Sequence, residues 1–191
     1  MRLCRFLVWP CAVLFLAIVL PSAQASAAAG VLVLDFGLKD DTLLPNVPAE
    51  VARVGELAPY VRNRLKELGR ASPASEIDAE ARAQIANGYL LAHTKRIQEL
   101  GRAAGMPWVA VGYSNKFSFL ISWTRVFIVE TSTGLLVARA EADLRGAMTD
   151  QRMTRRCAVS LADQIDDLLT TIERQRTAGA TTQGEQGPRE D

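Results

Sequence analysis

The sequence predicts an α/β (α+β) two-layer sandwich, a mixed four- to five-stranded sheet with helices mainly on one face. Apolar runs rich in β-forming residues occur once near the start of the mature chain and three times in succession later. Between and after them, apolar residues recur at spacings of three and four, the period of a helix that buries one stripe. The order strand, helices, three strands, helix gives one mixed sheet. The composition agrees with a globular domain. With 49% hydrophobic and 23% charged residues, it excludes collagen-like, coiled-coil and wholly disordered chains.

The chain begins with a segment that is not part of this domain. Met1-Arg2-Leu3-Cys4-Arg5 is short and basic, Phe6 to Leu20 is unbroken apolar sequence, and Pro21 precedes small residues. This is the layout of a secretory signal peptide, residues 1–25, with cleavage after Ala25 or Ala27. The apolar run is shorter than the roughly 20 residues that span a bilayer, so no stable membrane span is expected after cleavage. Cys11 follows Trp9-Pro10 inside that run, which does not suit a lipid acceptor. The expected location is exported, either periplasmic or secreted. Removing the leader takes away Arg2, Arg5, Cys4 and Cys11 and leaves a nearly neutral chain whose one thiol is Cys157. No internal disulfide can form, so stability must come from a packed core.

The domain is expected over residues 30–174. Val31-Leu32-Val33-Leu34-Asp35-Phe36, bounded by Gly30 and Gly37, suits a central strand covered on both faces. Leu38 to Pro48 holds Asp40, Asp41, Asn46 and two prolines, the composition of an exposed loop. Val54, Leu57, Ala58, Val61, Leu65 and Leu68 then mark an amphipathic helix ending at Gly69. A helical stretch near Ala79 to Ala86 breaks at Asn87-Gly88, and another carrying Ile97, Leu100, Ala103 and Ala104 stops at Gly105. Trp108 to Tyr113, Phe119 to Thr131 and Leu135 to Leu144 read as strands, the last two joined by a Ser132-Thr133-Gly134 turn. Met153, Cys157, Leu161, Ile165, Leu168 and Ile172 mark one face of a closing helix. Residues 175–191 have no apolar residue larger than Ala and are expected to be a disordered tail.

Reactive groups are sparse. A formal charge of +1 offers no footprint for nucleic acid. Cys4 and Cys11 lie in the leader, so the mature chain keeps only His93 and Cys157, too few for a structural zinc site of four such ligands. Gly112-Tyr113-Ser114-Asn115-Lys116 has Lys where a nucleophile elbow needs its last Gly. Phosphate-cradling, dinucleotide and zinc-hydrolase strings do not occur. His93 reads as a surface or capping residue, and Cys157 as a buried core thiol beside Arg155 and Arg156. Asp163, Asp166 and Asp167 read as a solvated helix face. No catalytic residue, cofactor site or metal site is therefore assigned, and the chain is expected not to be an enzyme.

The most informative stretch runs from Lys116 to Trp123. Phe119, Ile121, Trp123, Phe127 and Val129 share one face of the strand, while Leu120, Val126 and Ile128 populate the other. Both faces want cover. Helices can supply it, or part of one face can dock another protein, with Lys116, Phe117, Phe119, Ile121 and Trp123 as the candidate surface. The alternative is a small-molecule or metal-binding protein that uses Asp35, Asp40 and Asp41 in the acidic loop, where hard cations find carboxylate oxygens.

A resemblance rests on Asp35-Phe36 with Leu38 and Asp40, Leu100-Gly101-Arg102-Ala103-Ala104-Gly105, Trp108-Val109-Ala110-Val111-Gly112, Lys116 with Ser118 and Leu120-Ile121, Thr133-Gly134, and Asp143-Leu144-Arg145-Gly146. In these motifs the chain resembles an uncharacterised family of small secreted bacterial proteins with a domain of unknown function, over about Val31 to Leu169. That family is in turn similar to the N-terminal domain of TolB and to the periplasmic domains of CsgG and LpoB-type lipoproteins. The resemblance implies a two-layer α/β domain that works without catalysis, by binding an envelope protein. Many members of the family it resembles carry two closely spaced cysteines ahead of the Gly-ended helix, where Asn87 to His93 has none. Homo-oligomerisation is a further expectation compatible with an interaction role.

Overall fold

The computed structural model describes residues 29–42, 45–74, 79–118, 120–146 and 150–184. The leader and residues 185–191 of the expected tail lie outside them. In chain order the elements are β1 (Val31–Val33), β2 (Gly37–Asp40), α1 (Pro48–Glu67), α2 (Ala79–Ala86), α3 (Tyr89–Ala92), α4 (Lys95–Ala103), β3 (Trp108–Lys116), β4 (Ile121–Glu130), β5 (Leu136–Arg145) and α5 (Gln151–Gly184). The mixed sheet and α+β class match expectation. β1 and β2 both run parallel to β3, and β3, β4 and β5 form an antiparallel meander.

Two features of the first strand differ from expectation. β1 lies at an edge of the sheet, not at its centre. It is buried all the same, because its lateral groups are closed from outside: the Val31 N–H donates to the Ala71 carbonyl and Arg62 donates to the Val33 carbonyl. The expected loop after it contains a strand, β2, in register from Gly37 opposite Tyr113 to Asp40 opposite Lys116. Its polar residues suggested a turn, yet a four-residue strand can end in charge when the neighbouring strand supplies a counter-ion.

Alternation along the strands divides the core in two. Val31, Val33, Trp108, Ala110, Val126, Ile128, Ala140 and Leu144 face α1 and α5. From those helices come the Val54, Leu57, Val61 and Leu65 stripe and the Cys157, Leu161, Ile165 and Leu169 stripe. Leu32, Leu34, Val109, Val111 and Val129 face the other way, where α2, α3 and α4 bring Ile85, Leu90 and Ile97. The two long helices thus cover one face, and a smaller group of short ones covers one end of the other.

Local chemistry places the ends of these elements. α1 opens with Pro48 in its first turn, where no intrahelical N–H is required, and Glu50 accepts the Val47 N–H at 3.0 Å. Gly69 ends it with φ +87°, a left-handed turn that a residue with a Cβ rarely adopts. Gly101 in α4 packs so closely on Val109 and Thr131 that a methyl group there would overlap both. At the free edge of the sheet, the Gln164 side chain accepts the Glu141 N–H at 3.2 Å and donates to the Glu141 carbonyl at 3.1 Å. It stands where a neighbouring strand would bond and so blunts the edge. α5 runs past Gln175 to Gly184. Beyond Gln175, Arg176 donates to Glu130 at 2.6 Å and lies 4.8 Å from the Trp108 ring centroid.

Candidate functional site

The short helices stop partway along the sheet. Past Val111 and Val129 their face carries Tyr113, Trp123, Arg125 and Phe127, all half-buried, and then Ile121, 42% exposed. Tyr113 stacks on Phe127 at 6.0 Å, and Phe117 meets Trp123 at 4.6 Å with ring planes tilted by 57°. Phe117 and Leu120, 49% and 59% exposed, extend the apolar surface onto the turn between β3 and β4. That turn is held by its own hydrogen bonds. The Phe117 and Ser118 N–H groups both donate to the Ile121 carbonyl, while Ser118 Oγ accepts from the Leu120 and Ile121 N–H groups. Arg125 donates to Glu141 at 2.8 Å across the ladder, and hydrogen bonds with Glu141 and Tyr113 hold its guanidinium above its ordinary value. The Arg125 charge within the aromatic strip is therefore paired, and the exposed Arg139 stands across the ladder from Phe127.

Of the residues expected on a docking surface, Phe117, Ile121 and Trp123 come together here, and Phe119 lies outside the described residues. Lys116 does not belong with them. Its side chain is 1% exposed and reaches Glu50 at 2.9 Å, Asp40 at 3.3 Å and the Pro45 carbonyl at 3.1 Å. Burial alone would lower its pKa, but the hydrogen bonds to Glu50 and Asp40 outweigh burial and hold the ammonium above its ordinary value. The reason for the misplacement is alternation: Lys116 sits one position from Phe117 and points to the opposite face.

The acidic residues after the first strand are dispersed among cations. Asp35 faces Arg62 at 3.4 Å and Arg82 at 3.5 Å, Asp40 takes Lys116 and Thr42, and Asp41 pairs with Lys39 at 3.4 Å. Burial pushes the Asp40 carboxyl up, and the Thr42 and Lys116 hydrogen bonds more than reverse that, leaving it below its ordinary value. Among the described residues no group of three or more His, Cys, Asp or Glu side chains converges as metal ligands would.

Other polar residues hold the framework. Asp163 bonds Arg64 at 2.8 Å and Asp166 bonds the buried Arg70, so these two members of the expected solvated face join α5 to α1 and its exit. Arg70 also reaches Glu173, Thr170 and the Ala29 carbonyl. Arg53, 6% exposed, donates to Thr154 and to the Arg145 and Gly146 carbonyls. His93 is exposed and stacks on Tyr89 at 4.1 Å. Cys157 is buried, and burial pushes its thiol up to about 11. The anchoring roles of Arg53, Arg62 and Arg70 left no mark in the sequence, because their partners lie far along the chain.

Fold and site define a small α+β domain with a partly open sheet face. The DUF3280 family model, described as a protein of unknown function (DUF2380), matches residues 29–165, and the chain belongs to that family. The sequence resemblance to an uncharacterised family is thereby shown. No curated protein matches the chain. Among solved structures it is similar to the PelC dodecamer from Paraburkholderia phytofirmans, with 12% identity over 75% of this chain and 89% of that one and a TM-score of 0.47. It is also similar to the LpoB C-terminal domain from Salmonella enterica, with 11% identity, 65% and 87% coverage and a TM-score of 0.41. A third, TolB from Acinetobacter baumannii, shares 16% identity over 75% of this chain and 29% of its own length, with a TM-score of 0.41. No helix among the described residues is long and apolar enough to cross a membrane.

Proposed function

We propose that the chain is an exported, non-catalytic accessory module of the bacterial cell envelope that acts by protein–protein contact. The observation that carries this reading is the open half of the sheet face, where Phe117, Trp123 and Ile121 form an apolar surface near the paired Arg125. Such a surface, with aromatic residues at its centre and a polar rim, is what interface cores present. The export part rests on the leader sequence. The non-catalytic part is supported by the structural engagement of Lys116, Arg53, Arg70 and Asp40 and by the raised pKa of the Cys157 thiol, which keeps it protonated.

The test is affinity capture from an envelope extract with wild type, Trp123→Asp, Ile121→Asp and a control, Val51→Asp, on the exposed side of α1. Recovery of a specific partner is expected to fall roughly tenfold or more with the first two variants and to stay unchanged with the control. Thermal melts establish that each variant is folded. Equal recovery by all four proteins removes the assigned surface.

A further inference from the structure

A groove of about 380 Å3 lies at the other edge of the sheet, away from the aromatic strip, between β2, α1 and α2. Its walls are apolar: Leu38 from β2, Val51 and Val54 from α1, and Ala83 and Ala86 from α2. The volume falls within the range of small-molecule sites. Two opposite charges line the same groove, the Asp35 carboxylate and the Arg82 guanidinium.

The Asp35 contacts are long. Its two oxygens lie 3.4 Å from Arg62 and 3.5 Å from Arg82, outside the roughly 2.7–2.9 Å of a charge-assisted hydrogen bond. Its side chain is 20% exposed and lines the groove, so a donor bound there can displace the water that otherwise meets it. Asp35 can therefore take a closer donor. A simple amine would bring a third cation beside Arg62 and Arg82, and a simple carboxylate would compete with Asp35 for Arg82. A zwitterion adds no net charge, since its ammonium answers Asp35 while its carboxylate answers Arg82. The Arg82 side chain is 54% exposed, and a guanidinium has five N–H donors, so it can meet a ligand carboxylate at the groove while keeping other contacts.

From this charge pairing and the apolar walls, we infer that the groove binds an α-amino acid with an apolar side chain, the side chain lying between α1 and α2. The site is separate from the proposed docking face and does not depend on it. Gly55 on α1 lines the groove, and a Cβ added there meets no atom within 4 Å, so a larger side chain can be carried there to occupy the groove. Replacing a mid-helix Gly also favours the helix.

The experiment follows the melting temperature of the purified protein with L-leucine, 4-methylpentanoate or 3-methylbutylamine, and the backbone amide signals of Gly55 and Ala83. L-Leucine at ten times its Kd is expected to raise Tm by about 3–5 °C and to shift both signals. The two analogues with one charged group are expected to bind at least about tenfold more weakly. Gly55→Leu is expected to melt at or above the wild-type Tm and lose the response, and Arg82→Ala to lose it as well. No response to L-leucine overturns the inference. So does an undiminished response in Gly55→Leu, or equal binding of either analogue. Partner capture through Trp123 is expected to be the same in Gly55→Leu and wild type, so this test and that of the docking face succeed or fail separately.

Discussion

Arg70 shows how single residues hold this protein together. Its side chain has no exposed surface, yet it carries full charge, because Asp166, Glu173 and Thr170 on α5 and the Ala29 carbonyl surround it. Burial opposes that charge, and the bonds it donates to Glu173 and Asp166 outweigh burial and hold the guanidinium above its ordinary value. Lys116 is built the same way with Glu50 and Asp40. Neither role is legible in the sequence, where a Lys or Arg reads as surface unless its partner is near in the chain. Cys157 was legible, because it falls on the apolar stripe of α5. Its thiol, pushed up to about 11 chiefly by burial, leaves roughly 200-fold less thiolate at pH 8 than a free cysteine of pKa about 8.5. Iodoacetamide at pH 8 is therefore expected to leave Cys157 unmodified in the folded protein for hours and to label it within minutes in urea, as followed by mass spectrometry.

At the scale of elements, helices with a buried stripe and the β4–β5 hairpin stood out in the sequence because their signals are local and periodic. β2 did not, since its four residues become a strand only through β3, far along the chain. The end of α5 was missed for a related reason. Apolar content predicts a tail after residue 174, but Arg176 is fastened by charge and by the Trp108 ring. The Arg176 hydrogen bond, joined by one from Thr133, holds the Glu130 carboxyl below its ordinary value against the effect of burial. A depressed carboxyl contributes stability above its unfolded pKa and loses it as pH falls through the folded one. Arg176→Ala is thus expected to lower Tm at pH 6–7, with the deficit shrinking below about pH 4.3. Melting curves across that range check it, and a deficit that persists undiminished at pH 3 would show that Glu130 is not the partner that matters.

For the molecule as a whole, the two-sided apolar pattern of β4 was the sequence's clearest message, and it left open what provides the cover. The fold answers in part: α1 and α5 cover one face along its length, while α2, α3 and α4 reach only one end of the other. The main core joins β1, the first strand, to α5, the last helix, and Arg70 links the Ala29 carbonyl to α5 as well. A chain ending before Gln151 would keep every strand but lose the Leu161, Ile165 and Leu169 side of that core. It is expected to show no cooperative thermal transition, as measured by circular dichroism, and a sharp transition would contradict the central place given to α5. The same connectivity governs timing. While the carboxyl end is still inside the ribosome or a narrow conduit, the polypeptide emerging ahead of it lacks the α5 side of its main core, so it is expected to settle cooperatively only once the last helix is free.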